Sequence, residues 1–252
     1  VARYSGEFIQ WIEKDDAMFG HVLSSSFNFA FNHLGVLFRV TIIPVILSVA
    51  LELAAFSFNS ESMVWVDYAL WSVLNTIIAV NVHRLVLMGP NSVPTFGRFT
   101  IGKIEIWFWL HYISLGIPVL LGSFLFAWIG PLLSLLVIVA MVVGCRVSLV
   151  FPAIAMGKGV SFPYAWKQTA QKTLFMILVV AVAPIVFAII FVPVMALVVF
   201  IAPDSSPVYS MVSTNIVIAY VTILAVIALS FAYQDLTGDD HSNFSPEASR
   251  EE

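Results

Sequence analysis

Apolar residues in this chain run on for whole helix lengths and are separated by short polar clusters. They do not alternate with polar residues over ~10-residue segments, as the strands of a membrane β-barrel would. A helix needs ~20 apolar residues to cross ~30 Å of hydrocarbon. Six stretches are long enough: 34–58, 64–88, 104–126, 129–156, 173–202 and 208–233. Turn-forming clusters divide them in pairs. Asn59-Ser60-Glu61-Ser62 splits the first pair, the region near Trp128-Ile129-Gly130-Pro131 the second, and Pro203-Asp204-Ser205-Ser206-Pro207 the third. The pattern predicts an all-α polytopic transmembrane helical bundle, six spans arranged as three hairpins, with interfacial amphipathic segments. An N-terminal cytoplasmic or interfacial segment (1–33) precedes the transmembrane domain (34–233). An acidic tail (234–252) follows and is expected to be disordered and cytoplasmic.

The cations sharpen this picture. No Lys or Arg falls between Arg39 and Arg84, between Lys103 and Arg146, or between Lys172 and Arg250, gaps of 44, 42 and 77 residues. Two crossings and a tight turn need roughly 44. Each of the first two gaps fits a helical hairpin, and the third fits a hairpin plus a tail. All three tips lack cations, so the positive-inside rule places both termini and both long connections in the cytoplasm. Trp65, Trp128 and Tyr209 open the returning helices, where an outer aromatic belt belongs.

Composition excludes whole classes of function. Hydrophobic residues make up 60% of the 252 positions and charged residues 10%, against about a quarter charged in a soluble domain. The mean hydropathy is +0.98. A soluble core cannot hide so much apolar surface. A net charge of −4 with 11 scattered Lys and Arg excludes a nucleic-acid partner. Cys145 is the only cysteine, which rules out an internal disulfide and reads as inert packing in Val142-Val143-Gly144-Cys145. The first 33 residues carry Glu7, Glu13, Lys14, Asp15 and Asp16 and do not read as a secretory signal. A start at Val1 is expected of a trimmed chain or one that lacks its initiator.

A weak repeat is visible. Pro44, Pro118 and Pro184 each lie within an outgoing span and are expected to kink it. The first two returning spans end with Arg, five residues, then Pro: Arg84 to Pro90 and Arg146 to Pro152. Two connections look interfacial, 93–99 and 161–172. The second reads as a short amphipathic helix with Ser161 as N-cap and Pro163 in the first turn, and Phe162, Ala165, Trp166 and Thr169 on one face. The stretch from Phe8-Ile9-Gln10-Trp11-Ile12 to Phe31 is expected to lie in the interface likewise. Ala50/Ala54 and Ala153/Gly157 are small-residue pairs of the kind that let helices approach closely.

At Arg146-Val-Ser-Leu-Val-Phe-Pro152-Ala-Ile-Ala-Met-Gly157, followed by Ser161 and Trp166-Lys-Gln-Thr169, the chain resembles a broad bacterial family of six-helix membrane proteins. That family is often called YciC-like and is related to the membrane domain of glycerophosphoryl diester phosphodiesterases. The aromatic approach Ser26-Phe27-Asn28-Phe29 also matches it. The resemblance spans roughly 20–200 and implies an integral inner-membrane protein without a settled activity. The relative's catalytic domain is soluble and separate, and nothing in this chain corresponds to it.

Candidate chemistry is sparse. Glu52 is the one carboxylate well inside a span, where a centred acid costs ~2.5–3.5 kcal/mol on insertion scales. It reads either as an ion or proton ligand or as a group that reaches the outer headgroups or a neighbouring helix. Ser72, Asn75, Thr76 and His83 form a polar stripe on span 2, with Ala79 between them. The candidate transport path is Glu52, Asn75, Thr76 and His83. The bland reading of the stripe is interhelical hydrogen bonding. The candidate headgroup contacts are Arg84, Arg146, Lys158, Trp166, Lys167 and Lys172. Arg39 is expected to snorkel toward lipid phosphates. Glu105 and His111 are six residues apart and do not share a helix face, so a metal or proton cluster with His83 requires spans 2 and 3 to meet. His21, His33 and His241 lack ligand spacing. Walker, GxGxxG, GxSxG and HExxH motifs do not occur.

These readings predict a multi-pass protein of a bacterial inner membrane, not an enzyme and without cofactor or metal. Its expected partners are phospholipids and other membrane subunits or itself. The leading role is accessory or scaffold. The alternatives are a small-solute or ion transporter and lipid handling at the inner leaflet.

Overall fold

The computed structural model describes the backbone of residues 2–58, 61–129, 131–201 and 207–238. The side chains of 2–13, 61–64, 118–136 and most of 192–211 fall outside that description. The expected tips at Asn59-Ser60, Gly130 and 203–206, and the acidic stretch 239–252, also lie outside the described residues, as does the side chain of Pro118.

Every described element is helical. They are α1 (Ala2–Asn32), α2 (Leu34–Phe58), α3 (Glu61–Met88), a 3-10 turn (Pro90–Ser92), α4 (Lys103–Ile129), α5 (Pro131–Val147), α6 (Val150–Ala155), α7 (Phe162–Gln168), α8 (Thr173–Ile177), a π-helical turn (Leu178–Val182), α9 (Ala183–Ile201) and α10 (Pro207–Thr237). Among the described residues, five helical stretches are long and apolar enough to cross a membrane: Leu34–Phe58, Trp65–Met88, Val137–Ala155, Thr173–Phe191 and Val212–Thr237. The helix α4 occupies the remaining predicted span with 27 residues.

Sequential neighbours pack on one another, α2 on α3, α4 on α5 and α9 on α10, as a hairpin pattern demands. Of the apolar window of α3, 67% is buried, against 28% for α2, so α3 is central and α2 peripheral. Ile78, Val80, Val82 and Leu85 of α3 join Ile227, Ala228 and Ala232 of α10 in the main core cluster. By contrast α2 and α9 show Phe38, Ile43, Ile46, Ile185 and Ile189 on the outside. In water that surface would be costly, at about 25 cal/mol per Å² of apolar area. It is the surface expected against acyl chains.

Proline acts differently at each position. Pro44 sits buried inside an unbroken α2. Pro184 lacks the N–H that would bond to Val180 and follows directly on the π turn 178–182, whose wider ring makes room for the pyrrolidine. Pro152 breaks the fourth span into α5 and α6. It cannot donate to the Ser148 carbonyl, which instead accepts the Phe151 N–H at 3.0 Å.

A paired closure ends α6. The Gly157 N–H donates to Ile154 O (2.8 Å) and the Lys158 N–H to Ala153 O (3.1 Å), with Gly157 at φ 83°. The pair Ala153/Gly157 is therefore not a helix-packing surface, because Gly157 lies beyond the helix it was expected to extend.

The N-terminal segment is a single 31-residue helix. Its buried stripe is Asp15, Val22, Ser26 and Ala30. Phe27 meets Phe187 edge-on with centroids 5.1 Å apart, and Phe29 faces Phe231 at 6.0 Å. His33 interrupts the helix before α2, its ring stacked on Phe29 at 4.3 Å. At the other end α10 continues past the expected boundary at 233 to Thr237, and Gly238 stops it at φ 66°. Tyr233 is fully buried there, which holds the last turns in place.

Candidate functional site

Glu52, Asn75, Thr76 and His83 do not face one common space. Asn215 of α10 donates from Nδ2 to Glu52 Oε2 at 2.5 Å, and Ser48 Oγ donates to Asn215 Oδ1 at 3.2 Å. Asp67 of α3 stands close enough to Glu52 to feel its charge. Asn75 donates to its own helix at Trp71 O (3.0 Å), and Thr76 to Ser72 O (3.0 Å). Ser72 Oγ in turn accepts from the Trp109 indole at 3.0 Å, which ties α3 to α4. A void of about 10 Å³ lies beside Ser48, Asn75 and Asn215. That is room for about one water.

His83, a candidate for the transport path, is 1% exposed inside the bundle. His83 Nδ1 is hydrogen-bonded to Ser230 Oγ at 2.7 Å, and Ser230 Oγ also lies 2.9 Å from Val226 O. His111 bonds Trp107 O at 2.9 Å, and Glu105 Oε2 accepts the Gly102 N–H at 2.9 Å, the capping-box bond at the start of α4. His83, Glu105 and His111 are thus each engaged separately.

The connection 93–102 is clamped to the bundle. Asn81 accepts the Arg98 N–H at 2.8 Å and donates to Arg98 O at 3.2 Å. Gly97, at φ 80°, rests against the α2 backbone, where a Cβ would stand 2.7 Å from Val40 O.

Two of the expected headgroup contacts are helix caps. Arg84 Nε donates to Ala155 O, the last residue of α6, at 2.8 Å. Arg146 Nη2 donates to Trp166 O near the end of α7 at 2.9 Å and stacks over the Trp166 ring at 3.6 Å. Its Nε donates to Thr169 Oγ1 at 3.3 Å. Each cation sits at the negative end of a helix dipole and satisfies a terminal carbonyl. Arg39 Nε turns back to Gly35 O at 3.1 Å on the exposed side of α2. Ser161 occupies the N-cap position of α7 in extended geometry, but its side chain makes no capping bond.

Lys158, Lys167 and Lys172 lie near the ends of α6, α7 and α8. Lys158 Nζ donates to Tyr233 OH at 3.0 Å, and that hydroxyl lies 3.3 Å from Tyr164 OH. Lys172 Nζ donates to Asp15 Oδ1 at 2.6 Å and binds α1 to the start of α8. A groove of about 520 Å³ runs past Lys14, Lys167, Gln168, Gln171, Lys172 and Asp235. The structure brings Lys167 and Lys172 together there and keeps Arg84 and Arg146 away.

Lys14, Asn215, Ser230 and Tyr233 escaped the sequence reading. Asn215 carried a signal, as a lone amide inside an apolar run. Ser230 and Tyr233 carried none, because their partners come from distant segments.

These features define a polytopic, mostly helical membrane protein with several apolar spans. Among protein families, curated proteins and solved structures, none matches this chain.

Proposed function

We propose that this chain is a six-span protein of a bacterial inner membrane, with both termini cytoplasmic, that works as a non-catalytic accessory or scaffold subunit. α4 supplies the sixth span. The YciC-like resemblance belongs to this reading, and the Arg146–Trp166–Thr169 contacts give its motif a physical role. The carrying observation is where the intramembrane polar groups point: Glu52 and Ser48 to Asn215, His83 to Ser230, and Ser72 to Trp109. Polar side chains engaged across helices hold a bundle together, whereas a carrier needs them on the wall of an aqueous path. The broad apolar faces of α2 and α9 supply surface for lipid and for other subunits.

Mass measurement of the protein extracted from native membranes in mild detergent tests this. A defined stoichiometric assembly, with itself or with another membrane protein, is expected. Recovery of the lone monomer overturns the scaffold role. Cation or proton flux into liposomes holding the pure protein, above that of empty liposomes, would favour the transporter.

Inner-leaflet lipid engagement is a second reading, favoured by the lysine-lined grooves at the cytoplasmic end.

A further inference from the structure

The geometry points to a site for an anionic glycerophospholipid between the start of α4 and the end of α6. Its phosphodiester sits between Lys103 and Lys158, and an acyl chain lies along Ile106, Trp107 and Ile154. This rests on the lipid reading above and on the proposed orientation, which puts both lysines at the inner-leaflet boundary. The groove is about 690 Å³, larger than a headgroup requires, and its wall is mostly apolar. Ile106 and Trp107 are 47% and 42% exposed. They are aligned with the first turns of a span, where an apolar face meets lipid rather than water.

Both polar ends of the groove are fixed. The Trp107 indole donates to Val160 O at 3.0 Å, which holds the ring as a wall. Lys158 lines the groove, and its ammonium donates to Tyr233 OH at 3.0 Å. The floor is open because two of its residues are glycines. Gly157 needs its positive φ to end α6, and a Cβ on Gly159 would meet nothing within 4 Å. Two cations and no acid line this groove. The groove beside Lys14 and Lys167 differs, since Asp235 lines it and Asp15 already holds Lys172. Charge and shape together therefore select the α4–α6 groove for a lipid that carries a phosphate charge and a chain.

Native mass spectrometry of the full chain in detergent tests the site, with phosphatidylglycerol or phosphatidylcholine of matched chains added. Phosphatidylglycerol is expected to be retained in preference. Lys103→Gln should lower that retention about five-fold, which corresponds to about 1 kcal/mol per basic residue, and leave phosphatidylcholine unchanged. Gly159→Leu, whose Cβ would meet nothing within 4 Å, should narrow the floor and lower retention of both lipids. Lys14→Gln, on the other groove, should change nothing. Equal retention of the two lipids by the parent protein, or full retention by Lys103→Gln, overturns the proposal. Displacement of the lipid by glycerol 3-phosphate at equal concentration also overturns it, in favour of a soluble phosphate. Orientation is read separately by labelling Ser161→Cys in sealed vesicles with a membrane-impermeant maleimide. Labelling from the outer side would sink the proposed topology while the detergent result stood on its own.

Discussion

The Arg146 guanidinium carbon sits over the Trp166 ring, 3.6 Å from its centroid, and the same side chain donates to the Trp166 carbonyl at 2.9 Å. One side chain thus stacks on a residue and caps the helix to which it belongs. The guanidinium suits both tasks because it is planar and carries several donors in a fixed fork. Arg146→Lys keeps the charge and loses the geometry. We expect it to destabilise the protein in detergent by about 1–2 kcal/mol and Arg146→Ala by about 2–3 kcal/mol, from one charge-assisted hydrogen bond and one cation–π contact. Thermal unfolding checks this. Equal stability of Arg146→Lys and the parent would show that charge alone matters.

Arg84 and Arg146 also show how far the sequence could be read. The Arg-to-Pro repeat was visible, and the ends of the long apolar helices were legible to within a few residues, because an apolar run long enough to cross hydrocarbon stands out directly in a sequence. The role of the cations was not legible. Arg84 meets a carbonyl 71 positions along the chain, and Arg146 one 20 positions along. Such partners depend on the packing order of helices, which periodicity does not encode. A cation near a span end therefore looks like a phosphate ligand until the neighbouring helix end is seen. The same applies to Glu52: its place within a span was plain, while Asn215, 163 positions away, could only be found in the fold.

Gly97 and Gly89 both have a positive φ, 80° and 82°, and differ in their surroundings. A positive φ strains alanine at either position by about 1–3 kcal/mol. At Gly89 a Cβ meets nothing within 4 Å, whereas at Gly97 it meets Val40 O at 2.7 Å. Overpacking against backbone adds about 1–3 kcal/mol. Gly97→Ala should thus cost clearly more than Gly89→Ala, and it should loosen the 93–102 connection from α2. Unfolding in detergent gives the first result, and hydrogen exchange at residues 93–102 the second. Matching stabilities for the two variants would contradict the close approach to Val40.

The Glu52–Asn215 contact is expected to be structural in its energetics. Hydrogen bonds between membrane helices average about 0.6 kcal/mol and reach about 1.7 kcal/mol. A double-mutant cycle with Glu52→Gln and Asn215→Leu should give a coupling in that range. Asn215→Leu alone should be the more harmful single change, because it leaves the Glu52 carboxylate without its donor. Glu52→Gln keeps a hydrogen-bonding group in place and removes a charge, so it should be neutral or stabilising. A large loss of stability in Glu52→Gln would mean that the negative charge itself is needed, which would revive an ion-binding role.

Asp15 and Lys172 provide the sharpest separation between breaking a buried pair and replacing it. The Asp15 side chain is fully buried, that of Lys172 is 20% exposed, and the two are 2.6 Å apart. Asp15 Oδ2 has no hydrogen-bond partner, so the pair is held by one good contact rather than by a network. Removal of the lysine alone strands a buried carboxylate, and the expected cost is about 3–5 kcal/mol. Because Asp15 belongs to α1 and Lys172 caps the start of α8, that cost should appear first as release of α1. Lys172→Met should therefore make the segment around 15–22 accessible to protease at a concentration that leaves the parent intact. The double variant Asp15→Leu with Lys172→Met removes both charges and supplies apolar contact to Met18 and its neighbours. It should recover most of the lost stability and restore protection of α1. If the double variant is as labile as Lys172→Met, the ion pair itself and not the burial of an unpaired charge holds α1 in place.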